Sequence, residues 1–120
     1  MGHITPKLIA LFAVAKITMG SISADGLELR DLSCELDGGG LFGGLAVVGA
    51  LAKQKPAIDA CAPDGATFGV DFAFHGGRTT AKVATGGETS QRACVQRALA
   101  RVHAPLEGRC TAKLLAGSKR

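Results

Sequence analysis

Residues 56–116 read PAIDACAPDGATFGVDFAFHGGRTTAKVATGGETSQRACVQRALARVHAPLEGRCTAKLLA, and this stretch decides the fold. It opens with a short helical end and continues with two alternating strands joined by a tight turn. An amphipathic helix and a last strand close it. The pattern changes from a period of two to one of about 3.6 where the strands give way to the helix. This order of elements predicts a small α+β domain.

The strand–turn–strand part predicts a β-hairpin with one buried face. The strands 67–74 and 78–84 both alternate apolar with polar residues, as strands with one face in solvent do. Between them, His75-Gly76-Gly77 supplies residues that accept positive φ at a turn. The apolar side carries Phe68, Val70, Phe72 and Phe74 on the first strand and Thr79, Ala81 and Val83 on the second.

A helix over 90–103 and a strand over 109–115 complete the stretch. Ser90 or Thr89 can cap this helix, and Pro105 ends it. We expect its apolar stripe to pack on the buried face of the hairpin. The stripe consists of Cys94, Val95, Ala98, Leu99 and Val102.

The residues before this stretch predict one more strand and one more helix. Residues 27–36 alternate, with a slip near Asp31 that indicates a β-bulge. The uncharged run from Gly38 to Ala52 predicts a helix over 41–54, which Pro56 stops or kinks. We therefore predict a mostly antiparallel sheet of strands 27–36, 67–74, 78–84 and 109–115, packed by helices 41–54 and 90–103.

The Gly-rich run allows two other interpretations. The run is short for a membrane-spanning helix, so we expect a buried core helix, with a membrane-active, bacteriocin-like segment over Gly38–Ala52 as the alternative. Gly38, Gly40 and Gly43 also match the spacing of a dinucleotide-binding fingerprint. We reject the fingerprint because its strand should be continuously apolar, whereas residues 27–36 alternate and carry four charges.

The composition indicates one domain that needs covalent support. The chain has 120 residues, and aromatic residues make up 4% of it, with no Trp or Tyr. A core built mainly from Ala, Val, Leu and Ile in so short a chain is only marginally stable without covalent cross-links. Four cysteines can supply them in an oxidising compartment, so we expect a periplasmic or secreted protein.

The first 24 residues are typical of a secretory signal. Lys7 precedes the apolar run Leu8 to Ala15, and small residues follow, which predicts cleavage after Ala24. An ordinary N-terminal helix packed on the domain is the alternative. We expect a mature domain over 25–116 and a frayed basic tail over 117–120. Loss of Lys7 and Lys16 lowers the formal net charge from +4 to +2. The remaining chain has no surface of aromatic and basic residues on which the bases of a nucleic acid could stack.

Three motifs resemble the TonB C-terminal domain, in the variant carried by myxobacterial envelope and gliding-associated proteins of the AgmX/PglI type. They are AIDACAPDG (57–65), GVDFAFHGGRTTAKVATGG (69–87) and QRACVQRALARVHAPLEG (91–108). The resemblance covers residues 56–116. It implies a small periplasmic or surface-exposed α/β domain that binds protein partners and has no catalytic activity. The chain lacks the long membrane anchor and the Pro-rich spacer of that family, which favours a free-standing secreted domain.

The cysteines predict disulfides better than a metal or catalytic site. Zinc sites need paired spacings such as C-x-x-C, which this chain lacks. His103 lies nine residues after Cys94, about 13 Å along the predicted helix, so the two cannot form a nucleophile pair there. Four cysteines allow three pairings. We predict Cys61–Cys94, which the resemblance supports, and Cys34–Cys110, two apolar-side positions on strands.

A basic helix face is the predicted contact surface. Arg92, Arg97 and Arg101 lie on the polar side of helix 90–103, where they suit an acidic partner. Strand addition at an exposed sheet edge is the other expected mode of contact. We therefore expect a non-catalytic interaction module without a cofactor. Its partners would be envelope proteins or an anionic envelope polymer, with no nucleic acid and no stable membrane span in the mature chain.

The predicted signal segment gives a first test. N-terminal sequencing of exported protein should begin at Asp25, because the small residues before it suit a signal peptidase. Soluble cytoplasmic protein that keeps Met1 would contradict the prediction.

Overall fold

The last strand of the chain is the centre of the sheet. The computed structural model describes residues 14–37 and 40–117, which contain a five-stranded antiparallel sheet and three helices. In chain order the elements are β1 (Val14–Ala24), β2 (Leu27–Asp37), α1 (Gly40–Ala52), α2 (Lys55–Cys61), β3 (Ala66–His75), β4 (Arg78–Thr85), α3 (Thr89–Ala100) and β5 (Gly108–Ala116). The strand order in the sheet is β1-β2-β5-β3-β4, so β5 lies between two hairpins and pairs with one strand of each.

The predicted α+β class and all four predicted strands are confirmed. The β3–β4 turn has Gly76 at φ 60° and Gly77 at φ 80°. Two consecutive positive φ angles define the type I′ turn that suits the twist of a two-residue hairpin. The bulge near Asp31 is confirmed as well, since Asp31 has φ 52° and the pairing with β5 shifts between Arg30 and Ser33.

Strand β1 is not among the elements predicted from the sequence. Its residues belong to the segment expected to be removed, yet here they pair along β2 from Val14 with Asp37 to Ala24 with Leu27. Asp25 and Gly26 join the strands at φ 50° and 84°, a second type I′ turn. An Asp-Gly pair between alternating runs is the sequence signal for this hairpin. Cleavage after Ala24 stays a prediction, and it would remove β1.

The helix ends differ from those predicted. Pro56 does not end a helix but lies in the first turn of α2, where its missing N–H costs no hydrogen bond. The break between α1 and α2 comes earlier, at Lys53 and Gln54. Helix α3 is capped by Glu88 rather than by Thr89 or Ser90. The Gln91 side chain accepts the Glu88 N–H at 2.8 Å and completes a capping box. The helix ends at Ala100, before Pro105 is reached.

One face of the sheet is buried and the other is open. The predicted apolar face of β3 is buried together with Val95, Leu99 and Val102. Helix α1 contributes Val47, Val48 and Leu51 to the same core, which confirms the core-helix interpretation. The opposite face carries mostly polar side chains from β2, β5, β3 and β4. No helix among the described residues has the length and apolarity to cross a membrane.

Gly108 sets how closely β5 approaches β2. It has φ 140°, and a Cβ atom there would overlap the backbone carbonyl of Glu35. Since other residues adopt this conformation rarely and the space is filled by backbone, only glycine fits. The start of β5 can therefore pair beside Leu36 while Asp37 donates its N–H to the Glu107 carbonyl at 2.9 Å.

The buried hairpin face predicts the effect of a single truncation. Phe72 is 2% exposed and pairs edge to face with Phe74, with ring centroids 5.6 Å apart. Phe72→Ala should lower the free energy of unfolding by about 3–5 kcal/mol, measured by urea denaturation. Thr80→Ala, on the exposed side of β4, is the control and should change it by less than about 0.5 kcal/mol. Equal stability of the two variants would contradict the described orientation of β3.

Candidate partner-binding surface

All four cysteines form disulfides, in the predicted pairing. Cys34 and Cys110 are direct register partners on β2 and β5 and are almost fully buried. Cys61 ends α2 and joins Cys94 of α3, with their Cα atoms 5.6 Å apart. The bonded sulfurs are therefore structural links rather than nucleophiles. Among residues 14–37 and 40–117, no three His, Cys, Asp or Glu side chains form a group that could hold a metal ion.

The three predicted contact arginines do not share one role. Arg92 is half-buried and turned inward to the loop before α3. Its Nη1 donates to the carbonyls of Gly86 at 2.9 Å and Gly87 at 3.0 Å, and its Nη2 donates to Thr89 Oγ1 at 3.1 Å. A guanidinium with these partners anchors the loop, and its planar fork suits several acceptors at once. Arg92 is therefore a structural residue.

Arg97 and Arg101 form the exposed part of the predicted face, here called the basic surface. They are one helical turn apart, so their side chains leave the same side of α3. Within the described part of the chain, neither forms an ion pair. Both lie at the carboxyl end of the helix, where the helix dipole favours positive charge. The basic surface thus presents two free guanidinium groups to solvent.

Helix α3 is held in place by several contacts beyond its apolar stripe. The buried Thr79 hydroxyl donates to the carbonyl of Val102 at 2.8 Å, just after the helix. The Gln96 side-chain oxygen accepts the N–H of Val83, on the outer edge of β4, at 3.1 Å. Together with the disulfide at Cys94, these bonds fix both sides of the helix. The helical pattern gives no sign of this contact of Gln96, because the strand it reaches is distant in the sequence.

His75 and His103 both make contacts at the tip of the β3–β4 hairpin. His75 Nδ1 lies 2.9 Å from Glu107 Oε1, while Glu107 Oε2 accepts the Gly76 N–H at 2.8 Å. That backbone hydrogen bond is the main cause of a lowered pKa of Glu107, followed by the His75 side chain. His103 Nδ1 lies 3.3 Å from the Gly77 carbonyl. Glu107 and His103 thus connect the hairpin turn to the segment between α3 and β5.

The open face of the sheet offers a wide groove with more acidic than basic side chains. It has a volume of about 820 Å³ and is lined by Glu35, Asp71, Lys82, Glu107 and Arg109 among others. Glu35 is the register partner of Arg109, and Asp71 is that of Lys82, so acids and bases alternate across the strands. Glu107 is bonded to His75 and to the Gly76 N–H, and we assign no binding role to this groove.

The two edges of the sheet differ in whether their outer backbone groups already have partners. On the β4 edge, the Val83 N–H is already bonded to Gln96. On the other edge, the described sheet ends with β1, whose outer backbone groups have no neighbouring strand. An unpaired edge is a template for another strand.

Comparison with known proteins gives no relative: no family model, curated protein or solved structure matches this chain. Two disulfides are typical of proteins that fold outside the reducing cytoplasm, and they indicate an extracytoplasmic protein.

The different roles of the arginines predict different effects of substitution. Arg92→Gln should lower the free energy of unfolding by about 1–2 kcal/mol, because it removes charged hydrogen bonds to two carbonyls. Arg97→Gln removes the same charge from the same helix and should change stability by less than about 0.5 kcal/mol. The free energy of unfolding of both variants is measured by urea denaturation. Equal losses of this free energy in the two variants would contradict the anchoring role of Arg92.

Proposed function

We propose that this chain is a non-catalytic interaction module of the periplasm or the secreted medium, with a TonB C-terminal-like fold. It binds an acidic partner, either an envelope protein or an anionic envelope polymer, through the basic surface. The observation that carries the proposal is the exposure of Arg97 and Arg101, side by side and without internal ion-pair partners in the described structure, on a helix fixed by a disulfide.

The rigid attachment of helix α3 favours binding through its two exposed arginines. A flexible charged surface loses conformational entropy when it engages a partner, and a fixed helix loses less. Helix α3 is fixed by its buried stripe, by the Cys61–Cys94 disulfide and by the Thr79 hydrogen bond. Exposed charges attract an acidic partner over roughly 10 Å at moderate ionic strength, which steers association and makes it dependent on salt.

The element order supports the TonB-like part of the proposal. A helix with Cys61 precedes the β3–β4 hairpin, and α3 with Cys94 and then β5 follow it. The disulfide joins the helix on one side of the hairpin to the helix on the other. This is the arrangement that the resemblance implies for residues 56–116, and it favours a partner-binding role over catalysis.

The buried state of α1 argues against the membrane-active alternative. Val47 and Leu51 are fully buried and Val48 nearly so. Strand β2, directly before this helix, is cross-linked to β5. Inserting the helix into a bilayer would require these residues to leave the core, which costs their hydrophobic burial. The interaction module is therefore the better supported function.

Charge substitution on the basic surface tests the proposal. Polyglutamate serves as the acidic-peptide probe and alginate as the anionic-polymer probe, each measured at low and high salt. Arg97→Gln with Arg101→Gln should weaken binding roughly two- to thirtyfold, since each exposed charge contributes about 0.2–1 kcal/mol. The control, Lys53→Gln with Lys82→Gln, removes the same charge from other exposed positions and should have a smaller effect.

Three outcomes would count against the proposed function. Failure of the parent protein to bind either probe at low salt would exclude an acidic partner for this surface. Equal weakening by the control pair would show that only net charge matters. Leakage of dye from anionic vesicles, induced by the oxidised protein, would favour the membrane-active alternative, whereas the module should leave the vesicles intact.

A further inference from the structure

Strand β1 lies in a cleft between β2 and helix α1. It pairs with β2 over its whole length and packs against α1 on its inner side. Met19, Ile22 and Ala24 point inward and are partly buried against the core. Thr18, Ser21 and Ser23 are exposed. The cleft therefore holds an extended segment with apolar residues on one face only.

Over residues 18–24, the side chains of β1 are less buried than those of β2. Among residues 18–24, no side chain is fully buried, whereas β2 buries four leucines and Cys34. Ser21 contributes a side-chain hydrogen bond to Glu28, at 3.4 Å and in solvent. The disulfide between Cys34 and Cys110 keeps β2 on β5 whether or not β1 is present. The β2 wall of the cleft is thus fixed independently of its occupant.

The bulge in β2 gives the cleft an unusual register. Met19 pairs with Leu32 and Ile22 pairs with Leu29, while Gly20 lies opposite the left-handed Asp31. Inward side chains consequently fall at positions 19, 22 and 24, a spacing of three and then two, instead of the uniform spacing of two in a regular strand. The extra residue, Gly20, can be replaced by other residue types, because a Cβ atom there would meet no other atom within 4 Å.

We propose that β1 is a displaceable strand, and that the cleft between β2 and α1 binds an extended strand of a partner protein. The partner strand has inward apolar residues at positions i, i+3 and i+5. The proposal deepens the proposed interaction function and rests on it. The predicted cleavage after Ala24 falls at the last residue of β1, directly before the Asp25-Gly26 turn, so processing there would vacate the cleft without cutting into β2.

Strand exchange in the complete chain tests this inference. A protease site is inserted between Asp25 and Gly26, and the oxidised protein is folded and then cut, so that β1 stays in place without a covalent link. A fluorescent peptide of residues 14–24 is added, and its anisotropy is followed. We expect the peptide to replace β1 in the cut protein and to remain unbound with the uncut protein.

Competitor peptides test the register. A peptide of unrelated sequence with apolar residues at i, i+3 and i+5 should displace the label. A peptide of the same composition with apolar residues at i, i+2 and i+4 should be about tenfold weaker or more, because one apolar side chain then faces solvent. Equal competition by both peptides, or no exchange with the cut protein, would overturn the proposal. A concentration-dependent dimer of the cut chain would assign the cleft to a second copy and would also overturn it.

A variant of the uncut protein tests whether the cleft exists before binding. Ile22→Asp should accelerate amide hydrogen exchange in β1 and leave the amides shared by β2 and β5 protected. Loss of protection in both strands together would overturn the idea of an independent cleft. These assays use no acidic probe and leave Arg97 and Arg101 unchanged, so their failure is distinguishable from failure of the proposed function.

Discussion

The link between β2 and β5 is the constraint on which the rest of the structure depends. Strand β5 comes last in the chain, yet both hairpins need it as their neighbour. Cys34 and Cys110 are 76 residues apart, and closing a loop of that size in the unfolded chain contributes about 4.5 kcal/mol on the chain-entropy estimate. In a core without Trp or Tyr, this contribution is comparable with the whole stability of a small domain.

The second disulfide connects stability with the surface proposed for binding. Cys61–Cys94 holds two short helices together on the buried side of the sheet. A seven-residue helix such as α2 would be marginal alone. Asp59 of this helix binds Lys55 within the helix and accepts the Gly117 N–H at 2.8 Å, which ties α2 to the end of β5. Helix α3 thereby gains a rigid support from which its two arginines project.

The sequence predicted those parts of the fold that depend on local pattern. Alternation from Phe68 to Phe74 and the Gly-Gly turn identified the hairpin, and the slip at Asp31 identified the bulge. The position of β1 was missed because an apolar run with small residues fits a signal segment as well as it fits an edge strand. The role of Arg92 was missed for a different reason. Its acceptors are carbonyls that the left-handed Gly86 and Gly87 turn toward it, and a helical pattern contains no sign of them.

The hydrogen bond between Gln96 and Val83 has a consequence for assembly. A chain whose sheet is open at both edges can be extended in either direction, and repeated addition then gives fibres. Here the side chain of Gln96 already occupies a donor on the outer edge of β4, and an incoming strand would have to give up that bond. Growth is therefore favoured at one edge only. Such a sheet can accept a single strand, or meet its own copy across a twofold axis, and in both cases the assembly is closed and of finite size.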